Sequence, residues 1–232
     1  MKLNRPHVLV NVAMSADGKI DCVERGGASI SSATDMERVD RLRAQVDGVI
    51  VGGHTLIEGD PRLTVKSPTL RADRIARGLA ENPAKIGIVS VANVRPDSRF
   101  MSFTPARRII YTTQRTPPQQ IAILQAAGAE IFILGEQRVD LTEMLGSLYD
   151  LGMRSLLVEG GGILIAAFFQ LSLVDELSFY IAPRIFGGST APTPTDGAGF
   201  LPEQSPRLQL VSVDKFDEEG GILVHYTIDK KE

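Results

Sequence analysis

The chain has 232 residues, 43% hydrophobic and 23% charged, ordinary globular usage that excludes disordered, collagen-like and coiled-coil classes. Lys plus Arg number 25 against 28 Asp plus Glu, a net charge of −3 scattered along the chain, so neither nucleic acid nor an anionic membrane is an expected partner. Cys22 is the only cysteine, which rules out an internal disulfide and a thiolate-rich zinc cage and fits a reducing, cytoplasmic compartment. His7, His54 and His225 are widely separated, and no metal is expected. The N-terminal segment does not read as a signal peptide, and the best apolar stretch, Ile163 to Leu173, is far short of the roughly 20 residues that span a bilayer.

Val8, Val10 and Val12 alternate with Leu9, Asn11 and Ala13, which predicts a central strand covered on both faces and obliges Asn11 to find partners. Ser32-Ala-Thr-Asp35 reads as a capping box, and Met36, Val39, Leu42 and Val46 predict the buried stripe of the helix that follows. Gly48 to Gly52 is a short buried strand. Further strands are expected at 86–91, 108–113, 130–134, 155–159, 177–182 and 222–228, with helices near 70–80, 118–127, 140–151 and 163–172. This alternation predicts an α/β fold with a mainly parallel central sheet and helices on both faces. The end of the chain differs. Runs near 207–213 and 222–228 flank Asp217-Glu-Glu-Gly-Gly221, the pattern of an antiparallel C-terminal hairpin. Pro183 to Pro206, rich in Gly and Pro, is a long loop: a lid, an interface arm or an ordered surface excursion. With no repeat and no clear linker, a single domain over 1–232 is expected.

Three stretches carry chemistry. In SLLVEGGGILIA (155–166) a buried strand ends in Glu159, three glycines turn the chain and an apolar helix begins. Glycines there let a ligand approach the backbone and leave the first helical N–H groups pointing outward, as a pyrophosphate site requires, although a tight turn needs glycine for steric reasons alone. A carboxylate at the carboxyl end of a sheet strand points into the crevice where open α/β folds bind ligands. In GGHTLIEGDPRLT (52–64) a second glycine-rich exit carries Thr55 and Asp60, with a helix cap and a turn starter as the bland readings. His54 reads as structural. In MSADGKI (14–20) Lys19 follows a turn signal. Arg43 borders the buried stripe of its helix; its forked donors suit a phosphate or a structural carboxylate.

Taken in order, NVAMSADGKI, ISSATDMERVDRLRAQVDGVIVGGHTLIEGDPRLTV, LLVEGGGIL and APRIFGGSTAPTPTDGAGF resemble the reductase family of riboflavin biosynthesis. The resemblance implies a dihydrofolate-reductase-like fold and an oxidoreductase that uses NADPH to reduce the ribosyl group of a ribosylaminopyrimidine 5′-phosphate to ribityl. It further implies that Gly160, Gly161, Gly162, Ile163, Leu164 and Thr55 bind the coenzyme, that Arg43 binds substrate, and that Glu159 faces it. Lys19, Ser31, Ser32, Asp60 and Leu63 fall in segments lining the same site. Glu159 and Lys19 are the first candidates for polarising or protonating the sugar, with Asp60 assisting. One departure is Gly59, where many members carry the first of two acids. The zinc-deaminase signature is missing, so this chain cannot deaminate by that chemistry. The lack of a fused deaminase favours the diaminopyrimidinone over the deaminated aminouracil as substrate. The alternatives are an NADPH reductase for an unrelated small substrate and a nucleotide-binding module without chemistry. The family and the apolar C-terminal strands suggest a homodimer.

Overall fold

The computed structural model describes residues 4–103 and 105–228. They fall into two compact units, each assembled from two separate stretches: unit 1 from the residues up to His7 with Asp40–Leu157, unit 2 from Val8–Val39 with Val158 onward.

Unit 1 is built on β2 (Gly48–Gly52), β3 (Ala84–Ile88), β4 (Arg108–Thr112), β5 (Glu130–Ile133) and β6 (Ser155–Val158), in the order β5-β4-β3-β2-β6. The β2–β3, β3–β4 and β4–β5 pairs are parallel. Between the strands lie α2 (Pro68–Ala76), the short α3 (Arg99–Ser102), α4 (Pro118–Ala126) and α5 (Leu141–Asp150). β2, β3 and β4 are buried almost along their length, as central strands apolar on both faces demand, whereas the edge strand β5 is half-buried with Ile133 exposed. α2 starts as its sequence dictates: Ser67 caps it, accepting the Leu70 N–H at 3.4 Å, and Pro68 stands at the first turn, where no N–H is needed. Asp140 caps α5 in the same way.

Unit 2 holds β1 (His7–Ser15), β7 (Glu176–Ala182), β8 (Leu208–Lys215) and β9 (Ile222–Ile228) in the order β1-β7-β9-β8, with α6 (Gly162–Gln170) following β6. β1 and β7 are parallel, whereas β7–β9 and β8–β9 are antiparallel. The expected combination of parallel strands and a C-terminal antiparallel hairpin is present. Asp217 and Gly220 form the hairpin turn, with Gly220 at φ +92° and the Phe216 N–H donating to the Gly221 carbonyl at 2.8 Å.

Helix α1 (Ala33–Gln45) departs from the hydrophobic pattern. Met36 is exposed, while the carboxylates of Asp35 and Asp40 are buried with Val39 and Ala44. The buried face is therefore partly polar, and each polar group has a partner that a stripe of apolar positions cannot reveal. Arg38 binds Asp35 at 2.9 Å and reaches Asn11 Oδ1 at 2.7 Å and Ser178 Oγ at 3.2 Å, supplying the partner that Asn11 requires. Asp40 accepts the N–H groups of Lys66 and Ser67 at 2.6 and 2.8 Å. Ser32 caps the helix as expected, accepting the Asp35 N–H at 3.1 Å, but Asp35 turns to Arg38.

Candidate functional site

In unit 2, the parallel register pairs Ser15 with Ala182, so the chains leaving β1 and β7 begin side by side. This is why the long 183–206 loop packs against the β1–α1 connection. Asp17 organises the meeting: its carboxylate accepts the Ser15 hydroxyl at 2.6 Å and the N–H groups of Phe186 and Gly187 at 3.2 and 2.7 Å. The Ser15 bond, with those amides behind it, holds the Asp17 carboxyl down at about 2. Lys19 donates from Nζ to the Ala191 carbonyl at 3.3 Å, the Ile20 N–H to Pro192, and Arg184 to Ser29. These bonds tie the 183–206 loop to the β1–α1 connection. Ser32, besides capping α1, donates its hydroxyl to Asp217 at 2.6 Å; Tyr180 donates to the same carboxylate at 2.9 Å. These bonds, the Ser32 one foremost, hold Asp217 below the usual carboxylate range, and burial raises the Tyr180 phenol.

Half-buried Glu159 stands at the exit of β6. Gly160 follows at φ +121°, a conformation that favours glycine, and the Gly160–Gly161 peptide is cis. Gly161 caps α6 without a side chain, and Leu164 and Ile165 both donate to its carbonyl at 2.9 and 3.1 Å. The amides ahead of them lie at the positive end of the helix, where an anion is favoured. Gly162 is required by the neighbouring loop: a Cβ there would overlap the Thr193 carbonyl oxygen, and the Asp196 N–H donates to the Gly162 carbonyl at 3.2 Å. The 191–196 stretch thus links Lys19 to the start of α6. Ile163 is 71% exposed, an open apolar side chain at the helix start suited to lie against a flat ring.

Unit 1 carries the other candidates. Gly52 pairs with Ile88, so the exits of β2 and β3 share an edge. The exit of β2 forms a single π turn, Thr55–Gly59, which sequence periodicity did not foreshadow. Asp60 and Leu63 then take left-handed conformations at φ +42° and +50°. Non-glycine residues hold such angles at a cost of about 1–3 kcal/mol each and persist where the surroundings over-determine them. Here Leu63 is fully buried, and Asp60 accepts the N–H groups of Arg99 and Phe100 at 2.9 and 3.0 Å. Half-buried Arg43, in the last turn of α1, donates to the Thr64 carbonyl at 3.2 Å. Buried Arg74 and exposed Arg77 donate to the Ala44 carbonyl at 3.1 and 2.6 Å, and Arg74 also to Val46 at 2.7 Å, fixing that turn of α1.

Thr55, Asp60 and Leu63 therefore lie on one short segment of unit 1, fastened at its far end by Arg43. Lys19, Ser32 and the Glu159–Leu164 turn belong to unit 2. Asp17, Asp196 and Asp217 escaped the sequence reading, because an Asp near a Gly reads as a turn and its carboxylate's reach is invisible. Among the described residues no group of three or more His, Cys, Asp and Glu could hold a metal, and no helix is long and apolar enough to cross a membrane.

The model of the RibD C-terminal domain matches residues 6–220. A protein of Archaeoglobus fulgidus named 2,5-diamino-6-ribosylamino-4(3H)-pyrimidinone 5′-phosphate reductase is 40% identical over 197 residues, 85% of this chain and 89% of that one. A Methanothermobacter thermautotrophicus protein of the same name is 34% identical over 224 residues, 97% and 99% of the two chains. In fold, the chain is similar to a pyrimidine reductase-like protein of Corynebacterium diphtheriae, with a TM-score of 0.85 over 98% of this chain and 94% of that one at 20% identity. The chain belongs to the RibD C-terminal domain family, the reductases of riboflavin biosynthesis.

Proposed function

We propose that this chain uses NADPH to reduce the ribosyl group of 2,5-diamino-6-ribosylamino-4(3H)-pyrimidinone 5′-phosphate to the ribityl group. The observation that carries this reading is the alignment, over nearly the full length of both chains, with two archaeal relatives bearing that reductase's name. A reductase of this family calls for a nicotinamide coenzyme, and the chain's own residues fit one: an uncapped helix start for a diphosphate and an exposed Ile163 for a ring. The preference for NADPH over NADH is taken from the resemblance.

When bound, NADPH supplies the hydride that the ring-opened, imine-like C1 of the sugar requires. The protein binds and orients. By the family resemblance, Gly160, Gly161, Gly162, Ile163, Leu164 and Thr55 would bind the coenzyme, Arg43 would anchor the substrate phosphate through its forked donors, and Ser31, Ser32 and Leu63 would line the substrate. The Ser32 hydroxyl, spent on Asp217, would act here through the helix start it caps. Glu159 and Lys19 would polarise the sugar and supply the proton, with Asp60 assisting from its place on the segment that carries Thr55, where its carboxylate accepts the N–H groups of Arg99 and Phe100. Remote binding of the phosphate becomes positioning of C1. The test is NADPH oxidation with the diaminopyrimidinone phosphate and with the aminouracil phosphate in turn. Faster turnover of the former supports the reading; faster turnover of the latter reassigns the substrate, and no turnover of either refutes it.

The reading includes a cytoplasmic homodimer with neither nucleic acid nor membrane as partner. The lone Cys22 supports the compartment. The edge strand β8 supports the dimer: Leu208, Leu210, Val211 and Val213 are exposed along it, and an unpaired apolar edge of this length invites pairing with another strand. A monomer by analytical ultracentrifugation at micromolar concentration would remove that part.

A further inference from the structure

Lys85, on β3, is completely buried, and its ammonium is aimed at main-chain carbonyls: Phe103 at 2.6 Å, Phe100 at 3.0 Å and Arg99 at 3.5 Å. Arg108, on β4, adds a bond to the Met101 carbonyl at 2.7 Å. These are the carbonyls at the C-terminal end of α3. At the other end, the Asp60 carboxylate spans the N–H groups of Arg99 and Phe100, and Ser98 Oγ accepts the Met101 N–H at 3.3 Å. A helix of four residues cannot sustain itself, since nucleation is unfavourable. This one is held by an anion at its N-terminus and cations at its C-terminus, the order that the helix dipole favours. Arg99 completes the connection by donating from Nη2 to the Gly59 carbonyl at 2.9 Å.

We propose that Asp60 is a positioning residue for the exit of β2, and that Lys85, one helix away, sets the position of that exit by holding the far end of α3. The Asp60 carboxylate is already shared between two amides, with the Arg99 guanidinium 3.6 Å away, so it serves the site as an anchor and is poorly placed to donate a proton. What it anchors is the run from Thr55 to Leu63, with its two left-handed residues. Burial, reinforced by the like charge of Arg108 and opposed by Asp60, pulls the Lys85 pKa down to about 8. The ammonium is thus kept at neutral pH against a desolvation cost that an apolar side chain would not incur.

The kinetic half of the test rests on the reading of this exit as part of the coenzyme site; the structural half does not. Amide hydrogen exchange at residues 55–63 and 99–101 of the free protein should rise about tenfold in Lys85→Met and several-fold in Arg99→Ala, and stay near the parent in Lys85→Arg. The KM for NADPH should rise about tenfold in Lys85→Met and Asp60→Asn, with kcat at saturation lowered less than about threefold. Unchanged exchange in both Lys85→Met and Arg99→Ala overturns the clamp. A hundredfold loss of kcat in Asp60→Asn at constant KM overturns the positioning role and makes Asp60 a proton donor. Raised exchange with an unmoved KM overturns the coenzyme reading of the exit and leaves the clamp standing. If Lys85→Met does not fold, Arg99→Ala, whose side chain is exposed, decides in the same way.

Discussion

Replacing Arg38 with methionine tests the polar interior of α1. The guanidinium makes an ion pair with Asp35 at 2.8 Å and bonds to Asn11 Oδ1 at 2.7 Å and Ser178 Oγ at 3.2 Å. Asp35 is fully buried, and its second oxygen makes no hydrogen bond among the described residues. Methionine fills much of the same volume but strands a buried carboxylate, which costs about 3–5 kcal/mol. Asn11 Oδ1 loses its donor as well, and about 1–3 kcal/mol attaches to an unsatisfied buried acceptor. Because both losses fall within one hydrogen-bonded network, they do not simply add, and we expect about 4 kcal/mol against a typical total of about 5–15 kcal/mol. Adding Asp35→Asn should recover at least about 2 kcal/mol, since the stranded charge is then gone. Urea denaturation at neutral pH measures both variants. A loss below about 1 kcal/mol in Arg38→Met, or a double variant no more stable than the single one, would refute the reasoning.

Arg43→Ala should weaken substrate binding far more than NADPH binding, as shown by separate titrations; equal weakening would cancel its assignment to the phosphate. Glu159→Gln should lower turnover without lowering the melting temperature, and near-normal turnover would remove Glu159 from the mechanism. Gly162→Ala adds a Cβ that must displace the Thr193 carbonyl, so NADPH affinity should fall by about tenfold or more despite alanine's better helix propensity, read by coenzyme fluorescence. Lys85 gives stability an alkaline dependence. Its folded pKa of about 8 lies below its ordinary 10.5, so between those values the unfolded chain holds the extra proton and stability rises with pH, by up to about 3 kcal/mol, while below 8 the contribution is flat. That rise should be absent in Lys85→Met when melting is followed from pH 7 to 10.

Much of the architecture was legible because apolar side chains had to be buried with a definite period. The runs at Val8–Val12, Gly48–Gly52 and Ile222–Ile228 are strands, and the helices expected near 118–127, 140–151 and 163–172 form within a residue or two of those limits. The pattern failed where burial and polarity part company. Met36 looked like core and is exposed, whereas Asp35 and Asp40 are buried because Arg38 and the amides of Lys66 and Ser67 satisfy them. The π turn at Thr55–Gly59 and the four-residue α3 were missed because neither is long enough to show a period.

The candidate residues divide in the same way. Glycine runs, a strand-terminal Glu159 and a bordering Arg43 are visible in the chain, since residue type and spacing alone mark them. Local sequence determined which segments turn, which are apolar and where helices begin, because those preferences act over a few neighbouring residues. Only the tertiary structure decided that Ser32 is committed to Asp217, that Asp60 anchors α3 and that Lys85 carries a buried charge. Each of those outcomes depends on donors and acceptors 18 to 185 residues apart in sequence, brought within 3 Å by the order of the strands.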